Sequence, residues 1–208
     1  MESKFIRTSL GQLHAMVDGT GEAVLLIHGR SVDLNSWRTW QKNIAALAGH
    51  NCVYALDLLG YGESDKLKPV PDAREQAKAL IELLDAEGIR RASLGGLSWG
   101  GMIAQIVVGS APERAAKLVL TDSGHDASER GLARLKEIAC PTLIVWDEDD
   151  SVIPVANAKI IGDVIPNSQV RIFKRDERDP DANPENRHWS QETHSREWNK
   201  VVTEFLKA

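Results

Sequence analysis

The sequence predicts an α/β fold, a mostly parallel sheet with helices on both faces. Three observations predict it. Runs of residues at 23–27, 52–58, 117–121 and 140–146 are apolar almost throughout, as strands covered on both faces must be. Segments with helical spacing alternate with them, which is the βαβ pattern of a parallel sheet. Several of the apolar runs end in short turns rich in Gly, Asp or Ser, and in such sheets ligands bind at the carboxyl ends of the strands.

Taken in order, residues 5–17 read as two short strands joined at Leu10-Gly11-Gln12 and closed by Asp18-Gly19-Thr20-Gly21, an edge hairpin. Residues 23–27 form a central strand that runs into His28-Gly29-Arg30. Trp37, Trp40, Ile44 and Leu47 recur at intervals of three and four, so one helix is expected over 36–47. The strand 52–58 ends at Gly60-Tyr61-Gly62-Glu63-Ser64. Asp72 and Glu75 form a capping-box pattern for a helix ending at Gly88. A strand-like run from Ala92 breaks at Gly96 and restarts as a helix after Ser98, apolar nearly all round from Met102 to Val108 and therefore central. Strands at 117–121 and 140–146 follow, then a helix over 154–165 and a last strand at 169–173. Trp198, Val201, Val202, Phe205 and Leu206 form one stripe of a C-terminal helix. Residues 174–187 are charged and rich in Asn, Pro and Asp without apolar period, so a mobile loop is expected there.

With 208 residues, 42% of them hydrophobic and 26% charged, the chain is expected to form a single domain over 1–208. A net charge of -5 offers no broad basic surface, which argues against nucleic acid and against an anionic membrane as partners. Cys52 and Cys140 lie in or beside strand-like runs, as reduced core residues do, and the N-terminus lacks the apolar stretch of a signal peptide. No apolar run reaches membrane-spanning length. A soluble, cytoplasmic protein is the expectation.

Gly96-Leu97-Ser98-Trp99-Gly100 fits the G-x-S-x-G elbow, which holds a serine nucleophile in a strained strand-to-helix turn. Glycines suit positions where a Cβ would clash, and the helix that follows aims its N–H groups and positive dipole end at the serine. Three further features stand at strand ends: His28-Gly29-Arg30, residues 57–64, and Asp147-Glu148-Asp149-Asp150 ahead of Pro154. Together with the elbow, this ordered set resembles the α/β-hydrolase superfamily along essentially the whole chain.

The resemblance implies a catalytic set of Ser98 as nucleophile, Asp150 as acid and His188 as base, in the chain order usual for this fold. It implies an oxyanion hole from the backbone N–H groups of Arg30 and Trp99. Asp150 is chosen by its register to Pro154, with Asp122, after the preceding strand, as the alternative acid. Asp147 occupies a place where the family commonly has glycine. His188-Trp189 precedes the final helix as the family's histidine does, whereas His194 is expected to face solvent and His28 to play a structural part. His14, His50 and His125 have no supporting context. Many relatives insert a helical cap before the strand at 140–146. Here only residues 123–139 fill that gap, so a lid-free enzyme is implied.

The implied chemistry is acyl-enzyme formation on Ser98 with a small, accessible ester or related acyl compound as substrate, and it requires no metal or organic cofactor. Trp37 and Trp99 are candidate walls of an apolar acyl pocket, and Trp146 and Trp198 are candidate core residues. Arg30, if its guanidinium turns inward, would favour substrates with an anionic group. The other class of function is a ligand-sensing or partner-binding protein on a hydrolase scaffold, because fold alone does not settle function. Oligomeric state is not legible. The loop 174–187 leads into His188, and it is expected to gate the site.

Overall fold

The computed structural model describes residues 1–31 and 33–208. In chain order the elements are β1 (Glu2–Arg7), β2 (Gln12–Asp18), β3 (Glu22–Ile27), α1 (Ser36–Trp40), α2 (Ile44–Ala48), β4 (Asn51–Asp57), α3 (Ala73–Ala86) and β5 (Ala92–Leu97). They continue with α4 (Trp99–Ser110), β6 (Ala115–Thr121), α5 (Glu129–Lys136), β7 (Thr142–Asp147), α6 (Ala156–Val164), β8 (Ser168–Phe173), α7 (Ser190–Thr193) and α8 (Ser195–Lys207).

The strands make one eight-stranded sheet in the order β1-β2-β4-β3-β5-β6-β7-β8. β1 and β2 form the antiparallel edge hairpin, and β2 runs antiparallel to β4. Every pairing from β4 onward is parallel.

Because side chains alternate across a strand, β3 divides its residues between two cores. Leu25 and Ile27 point into one, with Leu80 and Leu83 of α3, Ile103 and Val107 of α4, and Ile161 of α6. Val24 and Leu26 point into the other, with Trp40, Ile44, Leu47 and the α8 residues Trp198, Val202 and Phe205. Both layers are therefore needed to cover the sheet. Truncating Leu83 or Leu26, each at most 1% exposed, should cost about 2–5 kcal/mol.

Between β3 and β4 the structure differs from the sequence expectations. The expected helix 36–47 is two short helices, broken at Asn43, whose buried Nδ2 donates to Gln191 O and Asn199 Oδ1 and so ties the break to α7 and α8. Residues 123–139 contain α5, started by Ser128 Oγ accepting the Gly131 N–H, and they form no separate cap among the described residues. Trp146 and Trp198 are fully buried. No helix among the described residues is long and apolar enough to cross a membrane.

Candidate active site

Ser98 lies between β5 and α4 with φ 55° and ψ -117°, a conformation that L-residues rarely adopt. Steric facts explain the flanking glycines. A Cβ on Gly96 would stand 2.4 Å from Gly100 O, and one on Gly100 2.3 Å from Ile27 O. A larger residue at Gly96 would push against the first turn of α4, and one at Gly100 would push the turn off the end of β3. The turn is pinned from below by Ser98 N–H to Thr121 O at 3.0 Å and by Gly124 N–H to Ser98 O at 3.0 Å.

The turn His28-Gly29-Arg30 rests directly on it, since a Cβ on Gly29 would be 3.3 Å from Ser98 Cβ. His28 is wholly buried, and its Nε2 accepts the Leu58 N–H at 3.0 Å, so Nδ1 carries the proton toward Gly29 O at 2.7 Å. Burial also lowers its pKa, so the ring is a neutral brace. The backbone N–H groups of Arg30 and Trp99 enter no turn or loop backbone hydrogen bond among the described residues. The Arg30 guanidinium lies over the Trp99 ring, 5.3 Å from its centroid. Trp99 is half-buried and packs near Tyr61, while Trp37 is 47% exposed.

At the end of β7, Asp150 Oδ1 accepts the N–H groups of Val152 and Ile153, each at 2.8 Å, which leaves Oδ2 for His188 Nδ1 at 2.9 Å. His188 Nε2 is buried and has no hydrogen-bond partner among the described residues. The alternative acid, Asp122, meets the same region differently. Its Oδ1 accepts the Asp147 N–H at 3.0 Å and its Oδ2 the Ser190 N–H at 2.8 Å, so it links the acid turn to α7 and does not bond the imidazole. Burial, helped by the Asp150 charge, pushes its pKa up to about 7.

Two expectations about the residues beyond β8 need correction. His194 does not face solvent: it is fully buried, stacks on Phe173 at 5.2 Å, and directs Nε2 at Lys174 O. The loop 174–187 is not loosely attached along its first half. Arg175 forks onto Asp149, Arg178 reaches the buried Asp147 at 2.6 Å, and Asp179 Oδ2 accepts both the N–H and the hydroxyl of Ser195. Its second half lines a cleft of about 550 Å³ beside His188 and Trp189, whose other walls include Arg38, Gln41 and Val152. His14, which lacked sequence context, is buried at the hairpin, with Nδ1 2.8 Å from Asp57 Oδ2, remote in the sheet from Ser98.

The anchoring roles of Arg178 and Asp179 and the partnering of Asp147 are not among the sequence expectations. An aspartate where relatives commonly have glycine was the available signal, since a carboxylate buried at a strand end needs a cation or several donors.

Comparison with known proteins gives a consistent family. A family model described as alpha/beta hydrolase fold matches residues 22–134. A 2-hydroxy-6-oxononadienedioate/2-hydroxy-6-oxononatrienedioate hydrolase of Paraburkholderia xenovorans (strain LB400) is 27% identical over 285 aligned positions, covering 98% of this chain and 95% of the relative. A dihydrolipoyllysine-residue acetyltransferase component of the acetoin cleaving system of Pseudomonas putida is 42% identical over 103 residues, 50% of this chain and 27% of the other. Among solved structures, a meta-cleavage product hydrolase from Pseudomonas fluorescens IP01 superposes with a TM-score of 0.88 at 19% identity, covering 98% of this chain and 97% of that one. An N-acyl homoserine lactone degrading enzyme superposes with a TM-score of 0.83 at 21% identity, covering 97% of this chain and 100% of that one. At those identities the likeness is one of fold.

Proposed function

Because the chain belongs to the alpha/beta hydrolase fold family, we propose that it is a serine hydrolase acting through an acyl-enzyme on Ser98, with small, accessible esters as substrates. One observation carries the reading: an imidazole held through Nδ1 by Asp150, with Nε2 uncommitted, in a protein whose Ser98 is presented in a strained elbow.

Asp150 can accept from Nδ1–H because its other oxygen is already occupied by two backbone N–H groups. Its carboxylate therefore fixes the tautomer in which Nε2 has a lone pair. Nε2 takes the Ser98 proton as Oγ attacks the ester carbonyl. The developing oxyanion is met by the backbone N–H groups of Arg30 and Trp99, donors worth a few kcal/mol where charge appears only in the transition state. The tetrahedral intermediate collapses, the C–O bond to the alcohol breaks, and Nε2 returns its proton to the leaving oxygen. Water then attacks the acyl-enzyme with the same proton relay, releasing the acid and regenerating the serine. His188 must meet Ser98 for this, and hydrogen bonds of this kind often tighten only in the substrate complex.

The lack of a separate cap among the described residues supports a preference for compact substrates. Trp99 and Trp37 supply apolar surface at the mouth, although the exposure of Trp37 suits a rim position. The free thiols Cys52 and Cys140 suit a cytoplasmic setting.

A second reading is hydrolysis of a 2-hydroxy-6-oxo-dioate compound, favoured by relatives of that name aligned over 98% of the chain. Steady-state assays with p-nitrophenyl acetate, butyrate and octanoate, beside 2-hydroxy-6-oxononadienedioate, test both. Release of nitrophenolate that is lost in Ser98→Ala supports the first, and turnover of the dioate alone supports the second.

A further inference from the structure

Two arginines of one short stretch, residues 30–38, lie over the two tryptophans that directly follow the proposed nucleophile and base. The Arg30 guanidinium carbon is 5.3 Å from the Trp99 ring centroid, and that of Arg38 is 5.9 Å from the Trp189 ring centroid. Both side chains are exposed at the carboxyl end of the sheet. The nearby ion pairs use Lys42, Lys174, Arg175, Arg178 and Arg196. Arg30 and Arg38 enter no ion pair among the described residues, and neither does Arg187, which lines the His188 cleft together with Arg38.

A guanidinium held over an indole face by cation–π attraction has already given up part of its freedom, so it can engage a carboxylate with little further loss of side-chain entropy. The cleft also contains Glu185 and Glu192, and Glu192 is engaged by Asn186 Nδ2 at 2.6 Å. We propose that Arg30 and Arg38 form a carboxylate-recognising rim on either side of Ser98 and His188, so that the preferred substrate is an ester carrying a carboxylate a few bonds from the scissile carbonyl. The inference rests on the serine hydrolase reading for its catalytic readout, but not for its binding readout.

The test compares two nitrophenyl esters of equal acyl length, the neutral butyrate and the anionic hemisuccinate, in wild type, Arg38→Leu, Arg38→Lys and Arg30→Leu. The ratio of kcat/KM for the hemisuccinate to that for the butyrate should fall at least tenfold in both leucine variants. It should fall less in Arg38→Lys, which keeps charge but loses the fork, and should decline with added salt. In parallel, glutarate and its uncharged diamide are titrated against Ser98→Ala protein with tryptophan fluorescence as the signal. Glutarate should give a saturable change that Arg38→Leu abolishes, and the diamide none. An unchanged ester ratio in both leucine variants overturns the rim, as does equal or absent response to glutarate and the diamide. Full ester turnover in Ser98→Ala would instead overturn the serine reading, and the glutarate titration would then decide the rim alone.

Discussion

Arg178 donates to Asp147 at 2.6 Å inside the protein, with the Asp147 side chain at 0% exposure and that of Arg178 at 15%. Asp147 ends β7, its Oδ1 accepts the Asp149 N–H, and its carbonyl accepts the Asp150 N–H, so the pair braces the turn that carries the proposed acid. It also fastens the loop that leads to His188. Removing one partner leaves a buried charge without compensation, a loss of about 3–5 kcal/mol, whereas replacing both by apolar residues is commonly far cheaper. Asp147→Ala and Arg178→Ala should each lower unfolding stability by that amount, and the double variant Asp147→Ala with Arg178→Ala by much less than the summed singles. Urea denaturation of the four proteins measures the difference.

Asp122 gives a pH dependence with a definite sign. Its folded pKa, raised to about 7 by burial and the Asp150 charge, exceeds the ordinary carboxylate value of 3.8. Between those values the native state holds a proton that the unfolded chain has released. This contribution is therefore fully present below about pH 4 and is lost as pH rises through about 7. Asp122→Asn, which cannot ionise, should be less stable than wild type at pH 5 and close the gap, or reverse it, by pH 8. Melting temperatures across that range check it, and a constant gap contradicts it.

The acid assignment separates two neighbouring aspartates. In Asp150→Asn the side-chain oxygen can keep the N–H groups of Val152 and Ile153, but the amide then donates to Nδ1 and forces the proton onto Nε2, the tautomer unable to accept from Ser98. Turnover should fall by about 10⁴-fold with the fold intact. Among the described residues the Asp149 side chain bonds only Arg175, at the surface, so Asp149→Asn should change turnover less than about threefold and stability by under about 1 kcal/mol. A kcat series over the two variants and Asp122→Asn decides among the three carboxylates.

How far the sequence could be read follows from where each signal lies. The sheet was legible because apolar runs report burial on both faces, and α3 because Asp72 and Glu75 sit at capping-box spacing, a bond pair present in the structure. The Ser98 turn was legible because its glycines have a steric cause that leaves a fixed pattern. The break at Asn43 was not, because its reason is a tertiary hydrogen bond to Gln191, 148 residues away. The tie-downs of Arg178 and Asp179 were hidden for the same reason. In a stretch of mixed charges, composition cannot tell that Asp179 is the buried carboxylate while Asp176, Asp181 and Glu185 are exposed.

The gating expectation for the loop 174–187 narrows to its second half. Arg175, Arg178 and Asp179 fix the first half, while Asn183, Glu185, Asn186 and Arg187 line the cleft beside His188. Replacing residues 181–185 by two glycines should therefore alter kcat/KM at least tenfold while shifting stability by less than about 1 kcal/mol, because the segment buries little. Paired kinetics and denaturation make the comparison. A large stability loss with unchanged kinetics would mean that this segment is only a structural wall.

The central claim is that Ser98 is the nucleophile. The most direct measurement is intact and peptide mass analysis of the protein after a fluorophosphonate probe, beside nitrophenyl ester turnover in wild type and Ser98→Ala. One phosphonyl adduct is expected, located at Ser98, absent in Ser98→Ala and strongly slowed in His188→Ala, with turnover down by at least about 10⁴-fold in Ser98→Ala. Folded wild-type protein that leaves Ser98 unlabelled, or a Ser98→Ala variant that still hydrolyses the ester, would contradict it.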